Sequence, residues 1–136
     1  MSVNAGDRIN GKFEVITKSR KLASYTIRIC CNEHWFPQQF RNAITDRIVN
    51  IATDIFVKCW TANNIRIDDD LGKAQRRSSL QLEAHDSCNE LLALIQIAQE
   101  VFHLRTNRMK YWGNLIIEAR GLIKSWHEKD RKRQDL

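Results

Sequence analysis

A chain of 136 residues with one proline and five glycines has few places to turn. That scarcity favours long helices over many short strands. The hydrophobic pattern agrees with it. Over Trp112, Leu115, Ile116, Ala119, Leu122, Ile123 and Trp126, apolar residues recur at i, i+3, i+4 and i+7 for four turns. At ~100° per residue they fall on one arc of a helix. The opposite arc carries Lys110, Arg120, Lys124 and Arg131.

Three further segments read as helices. From Lys12 to about Cys31, Phe13, Ile16, Leu22, Tyr25 and Ile29 recur at mostly helical intervals, after a polar tail over residues 1–11. Pro37 suits the start of a second helix that runs to Asn63. Its broad stripe is Phe40, Ile44, Ile48, Ile51, Ala52, Ile55, Phe56 and Cys59. The polar, turn-prone segment NNIRIDDDLG follows. A third helix spans Asp69 to His103, polar in its first half and apolar nearly all round in LLALIQIA. Buried polar groups are expected there from Gln75, His85 or Asn89, bonded inside the bundle. Helix four starts after LRTN, capped by Thr106 or Asn107. The expected fold is all-α, an antiparallel up-down-up-down four-helix bundle over residues 12–133, with a short tail at 134–136. Helices of about 25 residues make such a bundle roughly 35–40 Å long.

Two apolar groups fall outside the core stripes. Val49, Val57 and Trp60 lie off the main stripe of helix two, and Gly113, Ile117 and Gly121 recur every four residues on the polar side of helix four. Glycine in a helix interior costs roughly 1 kcal/mol against alanine, so an isoleucine between two of them points to close approach by another backbone. Both groups are therefore candidate contacts in a homo-oligomer.

The net charge of +6 and a pI near 9.4 bias the chain toward polyanions, either nucleic acid or an acidic partner. Lys18, Lys21 and Arg28 can share one side of helix one. Arg105, Arg108, Lys110, Arg120, Lys124 and the terminal Lys129, Arg131, Lys132 and Arg133 come from the last helix and its approach. Such cations would hold phosphates without reading sequence. Exposed aromatic residues for base stacking are not evident, with Trp35 ambiguous. A solvated face that only keeps the protein soluble produces the same pattern.

No catalytic or cofactor-binding motif is present. The chain lacks a GxxxxGK[ST] loop, a GxGxxG turn, an HExxH motif and paired Glu-x-x-His motifs. The aspartates Asp68 to Asp70 fit the positive end of a helix. Cys30, Cys31, Cys59 and Cys88 form no CxxC pair and read as small buried hydrophobes. Cys31 with His34, and His85 with Cys88, are half-sites at most, since zinc needs four converging ligands. Neither an enzyme nor a cofactor is expected. No apolar run approaches the roughly 20 residues of a membrane span, and MSVNAGDRINGKF lacks a signal-peptide core, so a cytoplasmic protein is expected.

The passages FPQQFRNAITDRIVNIATDIFVKCWTANN, LQLEAHDSCNELLALIQIA and YWGNLIIEARGLIKSWHEKDRKR resemble the accessory variability determinant (Avd) proteins of diversity-generating retroelements. These belong to a wider group of small four-helix-bundle proteins that includes those encoded in 23S rRNA intervening sequences. The similarity runs from about Thr26 onward. It rests on diffuse helical patterns, an R-x-x-x-T-x-R-like start to helix two and the LIKSW-x-x-x-D-R end. The resemblance implies a basic, non-catalytic subunit that forms a pentameric barrel. It also implies association with template RNA and cDNA and with a reverse transcriptase, in support of mutagenic cDNA synthesis. The intervening-sequence relatives imply the alternative, a protein-interaction bundle with no nucleic-acid role.

Overall fold

The computed structural model describes residues 2–134, with side chains from Glu14 to Arg133. Four long α-helices and no strand occur among the described residues: α1 (Ser2–Cys30), α2 (Asp46–Asn63), α3 (Leu71–Phe102) and α4 (Thr106–Gln134). Helix α1 starts before the expected Lys12. The expected tails at 1–11 and 134–136 lie outside the residues with described side chains.

The helices pack in cyclic order. α1 lies against α2 and α4, and α3 lies against α2 and α4, around one shared core. Leu22, Ile48, Ile55, Leu91, Ile95, Ile116 and Ile123 are fully or almost fully buried in it. Trp112 is completely buried, and its Nε1 donates to Thr26 Oγ1 of α1 at 3.0 Å. A buried indole brings a large apolar area and one donor that needs a partner, and Thr26 supplies it. The inward stripe expected on the last helix is observed from Trp112 to Trp126, with Leu122 half-buried at its edge.

The connections show why the helices stop where they do. After Cys30 the Asn32 side chain accepts from the backbone N–H groups of His34 and Trp35, at 3.0 and 3.3 Å. This turn competes with continued helix. The expected single helix from Pro37 is instead a 3₁₀ turn (Gln38–Phe40), a π-helical turn (Arg41–Thr45) and then α2. Pro37, with an extended ψ of 141°, caps the 3₁₀ turn, the usual backbone for a residue just ahead of a helical turn. Asp70 caps α3 by accepting from the Lys73 backbone N–H at 3.2 Å. Helix α3 ends at Phe102 because His103 turns left-handed, with φ of 56°, the one positive-φ non-glycine described. That conformation terminates helices and is usually left to glycine.

Three further expectations are corrected. LLALIQIA, expected to be buried on several sides, buries Leu91, Leu94, Ile95 and Ala98 on one face and leaves Ile97 exposed. Gln75 and Asn89 are exposed and His85 is half-buried; the buried polar residues of α3 are Arg77, Gln81 and Ser87. Cys31 is exposed, while Cys30, Cys59 and Cys88 are buried, and burial pushes each of those three thiols up to about 12.

Candidate nucleic-acid interface

Position on α4 decides what each cation can do. Toward α1, Lys18 pairs with Glu118 at 3.5 Å, and the Tyr25 and Tyr111 rings meet edge-on at 5.0 Å. These contacts mark the flank of α4 that faces α1. By helical spacing Arg108, Tyr111, Glu118, Lys129 and Arg133 share it, and Lys18, Lys21, Tyr25 and Arg28 form the matching stripe of α1. Toward α3, Arg120 donates to Asn89 Oδ1 at 2.8 Å. Lys110, Gly113, Ile117, Arg120, Lys124 and Arg131 recur along that second flank.

The cations expected opposite the core stripe, Lys110, Arg120, Lys124 and Arg131, thus lie together on the flank toward α3, while Arg108, Lys129 and Arg133 lie on the flank toward α1. Lys21, Arg28, Arg105, Lys110, Lys124, Lys129, Lys132 and Arg133 are exposed, and among the described residues none has a carboxylate within 4.0 Å. Lys18 and Arg120 are engaged by Glu118 and Asn89. Arg131 is exposed and also makes an interaction of its own. Arg108 is half-buried, its guanidinium 3.6 Å from the centroid of the Trp35 ring. This contact joins helix α4 to the α1–α2 connection.

The apolar candidates divide as well. Val57, Trp60 and Ile117 are about half exposed. Val49 is not part of an exposed patch, because it packs partly against the core. A Cβ added at Gly113 or Gly121 would meet nothing within 4 Å. Nothing within the subunit requires glycine at either position. Val57 and Trp60 are on α2 and Ile117 is on α4, two helices that do not neighbour each other in the cyclic order.

Sequence reasoning missed a buried polar network where α3 meets the end of α4. Arg77 Nε donates to Asp130 Oδ2 at 2.7 Å, and its Nη2 to Oδ1 at 3.3 Å. Its Nη1 donates to the Ile65 carbonyl at 2.9 Å, and Gln81 Nε2 donates to Asp130 Oδ2 at 2.8 Å. The Arg77 guanidinium also lies 5.1 Å from the Trp126 ring centroid. Ser78 Oγ and His127 Nε2 are 2.8 Å apart. Desolvation holds the His127 pKa below its ordinary value, and nearby Arg131 acts the same way. Bidentate geometry and further donors are what a buried ion pair needs to offset its dehydration. The network fixes the turn of α4 from which Lys129, Arg131, Lys132 and Arg133 project.

The sequence held a usable signal for this. Asp130 falls four residues after Trp126 on the inward stripe of α4. Arg77 and Gln81 precede Ala84 and Cys88 on that of α3. A charged residue at a core position asks for a buried partner.

Among the described residues no three of His, Cys, Asp and Glu converge as a metal site would require. No described helix is long and apolar enough to cross a membrane. Comparison with known protein families, curated proteins and solved structures found no match.

Proposed function

We propose that the protein is a non-catalytic, basic accessory subunit of the Avd type. In this reading it binds RNA and cDNA, docks a reverse transcriptase and supports mutagenic cDNA synthesis in the cytoplasm. The observation that carries it is the set of exposed cations on α1 and α4 that have no carboxylate partner among the described residues. Unneutralised cations in solvent release counterions from a phosphate backbone when they bind it.

The two flanks of α4 are given different roles. The flank toward α1, with Lys21, Arg28, Lys129 and Arg133, is the nucleic-acid surface. The flank toward α3, with Gly113 and Ile117, is a subunit seam, and Lys110, Arg120 and Lys124 border that seam. Open space beside both glycines supports this, because a neighbouring backbone could occupy it. The separation of Ile117 from Val57 and Trp60 on non-adjacent helices also supports it. Two different patches on one subunit make a head-to-tail contact, and such contacts form a ring when the rotation between subunits closes, here a pentamer by the family resemblance. The antiparallel up-down-up-down arrangement is supported by the order of contacts. As α3 advances from Arg77 to Asn89, its partners on α4 run back from Asp130 to Arg120.

Charge reversal separates the flanks. Lys21→Glu with Arg28→Glu should weaken RNA retention strongly and leave the oligomer mass unchanged. Lys110→Glu with Lys124→Glu should act more weakly on RNA. Equal, negligible effects of both pairs would leave the protein-interaction bundle, with charge serving solubility, as the better reading.

A further inference from the structure

Resting on the nucleic-acid reading above, we propose that the bundle end built by Trp35, Arg108 and Tyr111 holds unpaired bases by stacking, so that the protein engages single-stranded RNA or DNA there.

The observations are local and independent of total charge. Tyr111 is 46% exposed, and its ring is braced edge-on by Tyr25 at 5.0 Å. Tyr25 in turn meets the buried Trp112 ring at 6.3 Å. The exposed phenol ring is thus held on a rigid aromatic support. Arg108 is spread over Trp35 at 3.6 Å, which fixes the guanidinium plane that a base could stack on. Trp35 itself packs partly on the core, so the indole is the anchor and Arg108 the outer layer. Arg28 lies three residues after Tyr25 on the same stripe of α1, and Arg105 three before Arg108. Both are exposed and without an ion pair among the described residues. Glu33 is exposed in the same connection, yet it pairs with none of these arginines.

An aromatic face, a stacked guanidinium and flanking cations are the parts that single-strand binders combine. A duplex keeps its bases stacked on each other and could use only the cations. Stacking engages the π-face that every base has, so it distinguishes unpaired from paired strands more than one sequence from another. Among the described residues the other exposed aromatic residue is Trp60, which lies on α2 and has no described arginine stacked on it.

The test uses fluorescence anisotropy with a short oligouridylate, the matching oligothymidylate and a duplex of equal length. Tyr111→Leu and Arg108→Lys preserve formal charge and remove one stacking plane each. Each should weaken single-strand binding about tenfold, within the range of one stacked base, and leave duplex binding and the salt slope unchanged. Circular dichroism should show unaltered helix content. The ribo and deoxyribo strands should respond alike, and a loss confined to RNA would overturn the stacking assignment. Equal losses on single strand and duplex, or no loss on either, would also overturn it while the nucleic-acid role stands. If the unaltered protein retains neither strand form, both the role and this inference fall together.

Discussion

Replacing Asp130 with alanine tests the account of how the basic end of α4 is held. The side chains of Arg77 and Asp130 are 4% and 9% exposed. Asp130→Ala removes the counter-ion of a buried guanidinium and the acceptor for Gln81 Nε2. Breaking a buried ion pair by deleting one partner costs about 3–5 kcal/mol, because the remaining charge is left uncompensated. Unfolding entropy near 2.1 cal/mol/K per residue gives roughly 0.29 kcal/mol/K for a chain of 136 residues. The expected fall in Tm is therefore about 10–17 °C, read by far-ultraviolet circular dichroism. Asp130→Leu combined with Arg77→Met should lose markedly less, since it removes both charges. It still leaves the Gln81 amide and the Ile65 carbonyl to find partners, which holds it short of neutral. A loss under about 1 kcal/mol for Asp130→Ala would refute the reasoning, since it would show the carboxylate already solvated. Strict additivity of the two single substitutions would refute it from the other direction.

Other outcomes follow from the same structure. His127 has a pKa held below its ordinary value, so the fold favours the neutral ring. Its contribution is complete above about pH 6.5 and is lost as pH falls from there toward the folded pKa, because the unfolded chain takes the proton first. His127→Gln should flatten that part of the stability profile, and an unchanged profile would contradict this. Ile117→Asp should lower the mass measured by multi-angle light scattering, whereas an unaltered mass would remove the seam from α4. Gly113→Ala gives a second readout there: it should stabilise an isolated subunit by up to ~1 kcal/mol but weaken association if another backbone packs on it. Native alkylation near pH 8 should modify Cys31 alone. The Cys30, Cys59 and Cys88 thiols titrate at about 12, and labelling of any of them in the folded state would show that their burial is transient.

The four helices were legible because apolar residues follow a 3.6-residue period and turn-forming residues are scarce. The stripe from Trp112 to Trp126 needed nothing beyond that period. The π-helical turn at Arg41–Thr45 was not legible, because a single five-residue turn leaves no hydrophobic period of its own to distinguish it from α-helix. Arg77 and Asp130 were not singled out, because they stand among charged neighbours. Only their places on the inward stripes mark them as buried. Residues that carried the family resemblance turned out to have internal roles. Trp126 and Asp130 of the LIKSW-x-x-x-D-R end belong to the buried network, and Thr45 of the R-x-x-x-T-x-R start is buried. The division of cations between two flanks of α4 depends on which helices lie beside it. One-dimensional spacing could group Lys110 with Lys124, but it could not say that α3 and its Asn89 stood next to them.

The salt dependence of RNA binding bears most directly on the central claim that the exposed cations of α1 and α4 meet phosphates. Affinity for a structured RNA, measured between about 50 mM and 200 mM salt, should fall by roughly a hundredfold or more, with log K linear in log salt concentration. Lys21→Glu with Arg28→Glu should make that line shallower. An affinity that stays flat across the range, in the unaltered protein, would contradict a phosphate-binding surface.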